Sequence, residues 1–205
     1  VQTCALPIFC QASDKVTAIE IDARLAKRLD QTLSSHGVTA ANIEVMHADA
    51  LHVTNIDNSP NKLVANLPYN VSVPVFLNFL ERFPSIESGV IMVQTEVAER
   101  LVAPPGSKTY GVPSAKAAWY CDLALVDSVS RSVFWPVPNV DSSLVKFTRH
   151  EPIGDEKLRR TTFELIDKAF GQRRKMLRSI FSDMYGGSIE AERALASAGV
   201  DPTTR

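Results

Sequence analysis

The sequence predicts an α/β fold with a mostly parallel sheet, followed by a small helical domain. Two observations carry this prediction. Apolar runs of strand length alternate with helical segments over residues 15–103, which is typical of a parallel sheet covered on both faces. From Asp155 onward the pattern is helical. With 205 residues, the chain can hold one sizeable core and a small appendage.

The first elements follow from periodicity. Residues 1–14 have no clear period and lack the basic start of a signal peptide, so we predict an irregular or foreign segment there. KVTAIEI at 15–21 is mostly apolar and suits a strand buried on both faces. A helix follows and stops at Gly37, because three leucines recur at helical spacing, namely Leu25, Leu29 and Leu33.

Later elements alternate until the rhythm changes near residue 104. The predicted strands are 43–49, 62–66 and 89–94, and the predicted helices are 73–83, with Pro74 in its first turn, and 96–103. A loop at 104–111 and a short helix at 114–120 follow. DLALVDSVS and SSLVKFTRH then predict two strands without a helix between them, which indicates an antiparallel addition to the sheet. Gly154 marks the boundary between one domain at 15–150 and a helical domain at 155–205.

Composition argues against several classes of function. The net charge is −1, so no global attraction to nucleic acid or membrane is expected, and no apolar run has transmembrane length. The three cysteines and four histidines lack the spacing of metal ligands, so we predict no metal site.

Polar side chains stand where three of the predicted strands end. Glu20 follows the first strand, Asp49 the second and Asn66 the third. Because ligands bind beyond the carboxyl ends of parallel strands, all three are candidate ligand-binding residues. A carboxylate can accept both hydroxyls of a ribose or an amino group of adenine. Each acid alone is equally well explained as a helix-capping or ordinary loop residue.

The segment Asn66-Leu67-Pro68-Tyr69 carries the most specific signal. The Asn66 side-chain oxygen and the Leu67 carbonyl can each accept one hydrogen of an exocyclic amine, and Pro68 fixes the backbone beside them. Two such acceptors favour a pyramidal, nucleophilic nitrogen. Tyr69 offers a face on which a base can stack. The segment therefore predicts methyl transfer to an adenine amine, and the alternative interpretation is a strand-terminating turn.

Six segments together resemble the family of S-adenosylmethionine-dependent rRNA adenine N6,N6-dimethyltransferases. They are VTAIEID, HADAL, NLPYNVSVPV, MVQTEVAERLVAPPGSKTYG, FWPVPNVDSSLV and AFGQRRKMLRSIF. NLPY combined with F-x-P-x-P-x-V-x-S is specific to this family and its macrolide-resistance relatives. The resemblance implies a Rossmann-like methyltransferase fold, S-adenosyl-L-methionine as cofactor, and dimethylation of small-subunit rRNA adenosines in ribosome biogenesis.

The resemblance also implies roles for individual residues. Glu20 would bind the cofactor ribose and Asp49 its adenine amine, while Tyr69 and Phe134 would clamp the target base. The implied cofactor site contains Glu20, Ile21, Asp49, Ala50 and Asn66. The expected partner is small-subunit rRNA or the immature small ribosomal subunit. The resemblance implies a monomer that acts in the cytoplasm without a membrane or a metal.

A dense basic cluster lies in the helical domain and consists of Arg173, Arg174, Lys175 and Arg178. We expect the pairs 174/178 and 175/178 on one helix face. Taken alone, such a cluster is often a solvated surface. With rRNA as substrate, it predicts a patch that contacts phosphates through charge.

The sequence departs from the family at both ends. No G-x-G precedes Glu20, and residues 1–14 stand where the family has an N-terminal arm, a strand and a glycine-rich loop. GVDPTTR resembles the turn before the last helix of the family. We therefore expect an incomplete copy of the domain without its first strand, and weak cofactor binding by this chain.

Three alternatives remain open at this point. An NAD-linked oxidoreductase would explain Glu20 but not Asn66 to Tyr69. A methyltransferase could act instead on DNA adenine, or on large-subunit rRNA as the macrolide-resistance enzymes do. A catalytically impaired RNA-binding or ribosome-assembly factor would keep the fold without the reaction.

Overall fold

A computed structural model of the protein describes residues 5–35 and 42–204. The predicted helix stop at Gly37 lies outside them. The strands are β1 (Val16–Glu20), β2 (Ile43–His47), β3 (Lys62–Asn66), β4 (Ser88–Gln94), β5 (Cys121–Val129) and β6 (Ser142–Arg149). The helices are α1 (Ala5–Ala12), α2 (Ala23–Ser35), α3 (Ser72–Arg82), α4 (Thr95–Leu101), α5 (Val112–Ala117), α6 (Glu156–Gly171), α7 (Leu177–Ile180), α8 (Ser182–Tyr185) and α9 (Ser188–Ser197).

The segment predicted to be irregular contains helix α1, so that prediction is wrong for Ala5–Ala12. Cys10 of α1 is buried against Leu33 of α2, and three partly buried apolar side chains pack on the same pair. Short helices owe most of their stability to such tertiary packing. The helix is therefore fixed by partners distant in the sequence, which the local pattern does not reveal.

The strands form two sheets. β1 and β2 pair in parallel, with Glu20 opposite His47. The second sheet has the order β3-β4-β6-β5, in which β3 and β4 are parallel and β4 and β6 are antiparallel. The predicted parallel strands and the predicted antiparallel addition are thus confirmed. Within the part of the chain that the structure describes, no strand pairing joins the two sheets.

Burial differs sharply between the two sheets. In β1 only Ala18 is buried and the other residues are half-buried, so the prediction of a strand buried on both faces is wrong. A strand with one neighbour cannot be enclosed as a central strand is. The core instead surrounds β4 and β6, where Ile91, Val93 and Phe147 have no exposed surface. The Phe147 ring meets that of Phe76 in α3 edge to face, with centroids 5.2 Å apart.

Arg149, the last residue of β6, ties this sheet to α3. Its guanidinium donates hydrogen bonds to the carbonyls of Leu80 at 2.7 Å, Ile86 at 2.7 Å and Phe83 at 3.3 Å. The last carbonyls of a helix have no partner within the helix. Arg149 supplies partners at this end of α3, which holds the helix in register with the sheet.

Residue packing divides the chain into two units, Val1–Glu99 with Asp122–Arg149, and Arg100–Cys121 with His150–Arg205. The sequence assigned residues 100–121 to the first domain, whereas the structure packs them with the C-terminal helices. Lys116 forms an ion pair with Asp167 at 2.7 Å, and the Phe163 ring meets those of Trp119 and Tyr120 at 6.1 and 5.9 Å. These contacts join positions that are far apart in the sequence, so periodicity could not reveal them. The predicted helical character from residue 155 onward is confirmed by α6 to α9.

Candidate active site

The segment from Asn66 to Tyr69 links the end of β3 to the start of α3. The Val71 N–H donates to the Pro68 carbonyl at 3.1 Å, and the Leu67 N–H donates to the Met92 carbonyl of β4 at 3.1 Å. Among the described residues, the Leu67 carbonyl has no hydrogen-bond partner. These two bonds fix the turn, and the Leu67 carbonyl stays available as an acceptor at the carboxyl end of β3.

Tyr69 is held by one hydrogen bond at its hydroxyl and another at its backbone carbonyl. Its half-buried ring carries a hydroxyl that lies 2.8 Å from the Ser142 hydroxyl at the start of β6. The Ser72 hydroxyl donates to the Tyr69 carbonyl at 3.3 Å. The structure therefore connects the turn after β3 to the first residue of β6, which directly follows the linker at residues 130–141.

That linker, residues 130–141, carries the two aromatic side chains of the FWP sequence. Phe134 is half-buried, whereas 86% of Trp135 is exposed. The ends of the linker are joined because the Arg131 N–H donates to the Asp141 carboxylate at 3.0 Å and the Arg131 guanidinium donates to the Asn139 carbonyl at 3.0 Å. The linker is thus a closed loop rather than an extended connection.

Glu20 and Asp22 follow β1 and make different contacts. Glu20 Oε1 accepts the Asp22 N–H at 2.9 Å, and Glu20 Oε2 has no hydrogen-bond partner within residues 5–35 and 42–204. Asp22 is bound by both the side chain and the backbone of Arg24. The hydrogen bond from the Arg24 side chain lowers the pKa of Asp22 to about 2. Glu20 is therefore the acid with a vacant acceptor, and Ile21 beside it is 62% exposed.

Asp49 follows β2 and closes a tight turn. One carboxylate oxygen accepts the Leu51 N–H at 2.9 Å, and the other lies 3.8 Å from the His52 ring. The side-chain amide of Asn78 in α3 donates to the carbonyls of Ala50 at 3.4 Å and Leu51 at 3.3 Å. This contact connects the loop after β2 to the helix that begins after Tyr69.

The residues present fit the cofactor that the resemblance implies. A carboxylate oxygen of Glu20 is available to accept a ribose hydroxyl, and the exposed Ile21 side chain offers apolar surface beside it. The second oxygen of Asp49 remains able to accept from an amine. Across residues 5–35 and 42–204, no group of three or more His, Cys, Asp or Glu side chains could hold a metal ion.

The basic cluster does not lie on one helix face, so that prediction is wrong. α6 ends at Gly171, and residues 172–175 form a turn before α7. Arg173, Arg174 and Lys175 are all exposed, and the Arg173 guanidinium lies 5.6 Å from the centre of the Phe170 ring. Arg178 forms an ion pair with Glu192 at 2.9 Å, so its charge is already compensated.

Three residues of the site region were missed by sequence reasoning. Ser142 and Asn78 act through hydrogen bonds that span 73 and up to 28 residues, so no local pattern could reveal them. Trp135 stands between Phe134 and Pro136, but the sequence does not show whether its side chain is buried or exposed. Its exposure was the missing observation.

Comparisons with known proteins agree on one family. The family model described as ribosomal RNA adenine dimethylase matches residues 3–205. The ribosomal RNA small subunit methyltransferase A of Leifsonia xyli is 55% identical over 198 residues, which cover 95% of this chain and 70% of that protein. The chain spans about two thirds of the length of the curated relatives it matches.

Two solved structures share the fold. A dimethyladenosine transferase from Plasmodium falciparum aligns with a TM-score of 0.73 and 25% identity, covering 96% of this chain and 71% of that one. The 23S rRNA methyltransferase ErmE aligns with a TM-score of 0.68 and 27% identity, covering 96% of this chain and 77% of that one. None of the helices within residues 5–35 and 42–204 has the length and hydropathy needed to cross a bilayer.

Proposed function

The chain belongs to the ribosomal RNA adenine dimethylase family, and on that basis we propose that it dimethylates the N6 amine of adenosines in small-subunit rRNA. It is an S-adenosylmethionine-dependent methyltransferase with a Rossmann-like fold. The observation that carries the proposed chemistry is the turn after β3. There the Asn66 side chain is directly followed by the Leu67 carbonyl, which has no hydrogen-bond partner in the described part of the chain.

The bound cofactor supplies an electrophilic methyl group. The target nitrogen is a weak nucleophile, because its lone pair is delocalised into the adenine ring. We assign the Asn66 side-chain oxygen and the Leu67 carbonyl as the two acceptors of the amine hydrogens. The nitrogen gains positive charge as it is methylated, so both hydrogen bonds strengthen in the transition state and lower the barrier. Pro68 fixes the backbone that presents the Leu67 carbonyl.

The base and the cofactor are held by the remaining site residues. Tyr69 and Phe134 stack on the target adenine, which is supported by the connection between their two segments through Ser142. The cofactor site is proposed to comprise Glu20, Ile21, Asp49, Ala50 and Asn66. In it, Glu20 accepts from the ribose through its free oxygen, and Asp49 accepts from the adenine amine.

The enzyme acts on rRNA within the immature small ribosomal subunit. Arg173, Arg174, Lys175 and Arg178 contact phosphates. Arg174 and Lys175 contribute most, because Arg173 lies against the Phe170 ring and Arg178 is paired with Glu192. It works as a monomer in the cytoplasm, because one chain carries every proposed site residue and the substrate is a ribosomal subunit. No metal and no membrane take part, since a positioned amine and an activated methyl group need no Lewis acid.

Large-subunit rRNA is the less favoured substrate. The turn and the linker motif are shared with enzymes of the macrolide-resistance type, so they do not distinguish the two substrates. The identity to the small-subunit relative, 55%, is twice the identity to the large-subunit enzyme, 27%. Methylation assays on isolated small and large subunits would separate the two.

Asn66→Ala tests the proposed chemistry. In the intact enzyme, we expect methyl transfer to unmethylated small subunits to fall roughly 10²–10³-fold, by analogy with loss of one preorganised hydrogen-bond group. The affinity for the subunit should change by less than about twofold, because the acceptor acts mainly in the transition state. Incorporation of labelled methyl groups and equilibrium binding would be measured side by side.

Asn61→Ala is the matched control, because Asn61 is an exposed asparagine just before the opposite end of β3. It should leave both rate and affinity unchanged. If Asn66→Ala turns over nearly as fast as the unmodified enzyme, Asn66 is a turn residue and the amine is activated elsewhere.

A further inference from the structure

The hydrogen bond between Tyr69 and Ser142 joins the turn after β3 to the start of β6. The two hydroxyl oxygens are 2.8 Å apart, although the residues are 73 positions apart in the sequence. Ser142 has no exposed surface. A hydroxyl buried this completely needs a partner, and the Tyr69 hydroxyl provides it.

Ser143 shows that burial alone does not explain this contact. It is 1% exposed, and its hydroxyl lies 3.0 Å from that of Thr95 at the start of α4. Successive side chains of a strand point to opposite faces, so the two adjacent serines form hydrogen bonds with different residues. Only one of them contacts a residue proposed to bind the target base.

We propose that Ser142 is a positioning residue that sets the orientation of the Tyr69 ring for stacking on the target adenine. This inference rests on the proposed function. A tyrosine ring attached only at its Cβ atom can turn about two side-chain torsions. A hydrogen bond to the hydroxyl restrains the first torsion, because rotation about it moves the oxygen. The oxygen lies on the axis of the second torsion, so the bond orients the ring plane only through the preference of phenol hydrogen bonds for that plane. Together these restraints favour a stacking face that is preformed before the base arrives.

The linker that carries Phe134 ends directly beside this bond. Ser142 directly follows Asp141, whose carbonyl accepts the Thr95 N–H at 3.1 Å and whose carboxylate accepts the Arg131 N–H at 3.0 Å. The linker is thus anchored next to the point where Tyr69 is anchored. Ser142 therefore links the segments of both proposed base-clamping residues, which explains a serine at the last position of the F-x-P-x-P-x-V-x-S motif.

A double-mutant cycle in the intact enzyme tests the proposal. The variants are Ser142→Ala, Tyr69→Phe, the double variant, and Ser143→Ala as the control with equal burial. Steady-state methylation of small subunits would give KM and kcat, and calorimetry would give the affinity for S-adenosylmethionine. Tyr69→Phe keeps the aromatic ring and removes only the hydroxyl.

We expect Ser142→Ala and Tyr69→Phe each to raise KM for the subunit about 3- to 10-fold, which corresponds to one hydrogen bond. The double variant should be no worse than either single one, and Ser143→Ala should stay within about twofold. Cofactor affinity should be unchanged in all four, because the bond does not touch that site.

The proposal would be overturned if the rise in KM of the double variant equalled the product of the two single rises. It would also be overturned if Ser143→Ala raised KM as much as Ser142→Ala does. Both results would mean that Ser142 only supports the fold. Failure of the unmodified enzyme to methylate small subunits would instead refute the proposed function. The two failures are therefore distinguishable in one set of assays.

Discussion

Glu20 and Asp22 are two residues apart, yet their carboxylates make different hydrogen bonds in the structure. Asp22 is bound by the side chain and backbone of Arg24, which stabilises the start of α2 and lowers the pKa of Asp22 to about 2. One carboxylate oxygen of Glu20 accepts the Asp22 N–H, and the other has no hydrogen-bond partner in the described part of the chain. At the scale of single residues, Glu20 therefore offers an acceptor oxygen of the kind that the proposed cofactor site requires, and Asp22 does not.

Replacement of Glu20 by Gln should weaken binding of S-adenosylmethionine to the intact enzyme by about 10-fold or more. Gln keeps an oxygen for the Asp22 N–H but loses the charged acceptor, and hydrogen bonds to charged groups contribute roughly 1.5–3 kcal/mol. Calorimetric titration would measure the change. Asp22→Asn is the matched control and should leave cofactor affinity unaltered. Equal affinity of the Glu20→Gln and unmodified enzymes would remove Glu20 from the cofactor site.

At the scale of elements, the end of α6 decides what the basic cluster can do. A continuous helix would have presented the cations on one face, but α6 ends at Gly171 and the chain turns. Arg173 lies against Phe170 and its guanidinium approaches the Tyr110 carbonyl at 3.5 Å. Arg174 and Lys175 form no ion pair with any described residue, whereas Arg178 is paired with Glu192. The four cations therefore differ in how much of their charge is available to bind phosphates.

Neutralising Arg174 and Lys175 together, as Gln, should weaken binding to rRNA more than Arg178→Gln does. Two uncompensated charges would be lost in the first case, so the slope of log affinity against log salt should fall by roughly 1.5. Arg178→Gln should change the slope by much less, because Glu192 already compensates that charge. Binding measured between low and moderate salt gives both slopes. Identical slopes in all variants would show that the turn is only a solvated surface.

At the scale of the whole molecule, the two sheets differ in how much core they enclose. β4 and β6 bury Ile91, Val93 and Phe147 completely, whereas Ala18 is the sole buried residue of β1. Local opening requires less free energy where few apolar contacts must be broken. The β1–β2 pair, which carries Glu20 at its end, is therefore expected to be the less stable part of the first unit.

Amide hydrogen exchange would reveal this difference. We expect the hydrogen-bonded amides of β1 and β2 to exchange at least about tenfold faster than those of β4 and β6 under native conditions. Addition of S-adenosylmethionine to the intact enzyme should slow exchange in β1 and β2 selectively, because a ligand that binds the closed state stabilises it. Equal amide exchange rates in the two sheets would contradict the expectation that the β1–β2 pair is less stable.

Most strands and helices after residue 15 were predictable from the sequence alone, and the sequence also predicted a chemical centre at Asn66 to Tyr69. Both conclusions rest on local physics. Periodicity reports which face of an element is buried, and a polar residue followed by proline and tyrosine at a strand end restricts the backbone in a recognisable way. The antiparallel addition was also predicted, because parallel neighbours are usually joined through a helix and no α-helix separates these two strands. β6 does pair antiparallel with β4.

Other features became visible only in the tertiary structure. Helix α1 packs on Leu33, and residues 100–121 pack with the C-terminal helices. Helix α6 ends before the basic cluster, and Arg178 forms an ion pair with Glu192. A hydrogen bond also joins Tyr69 to Ser142 across 73 residues. These features depend on side chains that meet only after the chain has folded. A hydrogen bond, an ion pair or a buried contact has no signature in the sequence when its partners are far apart.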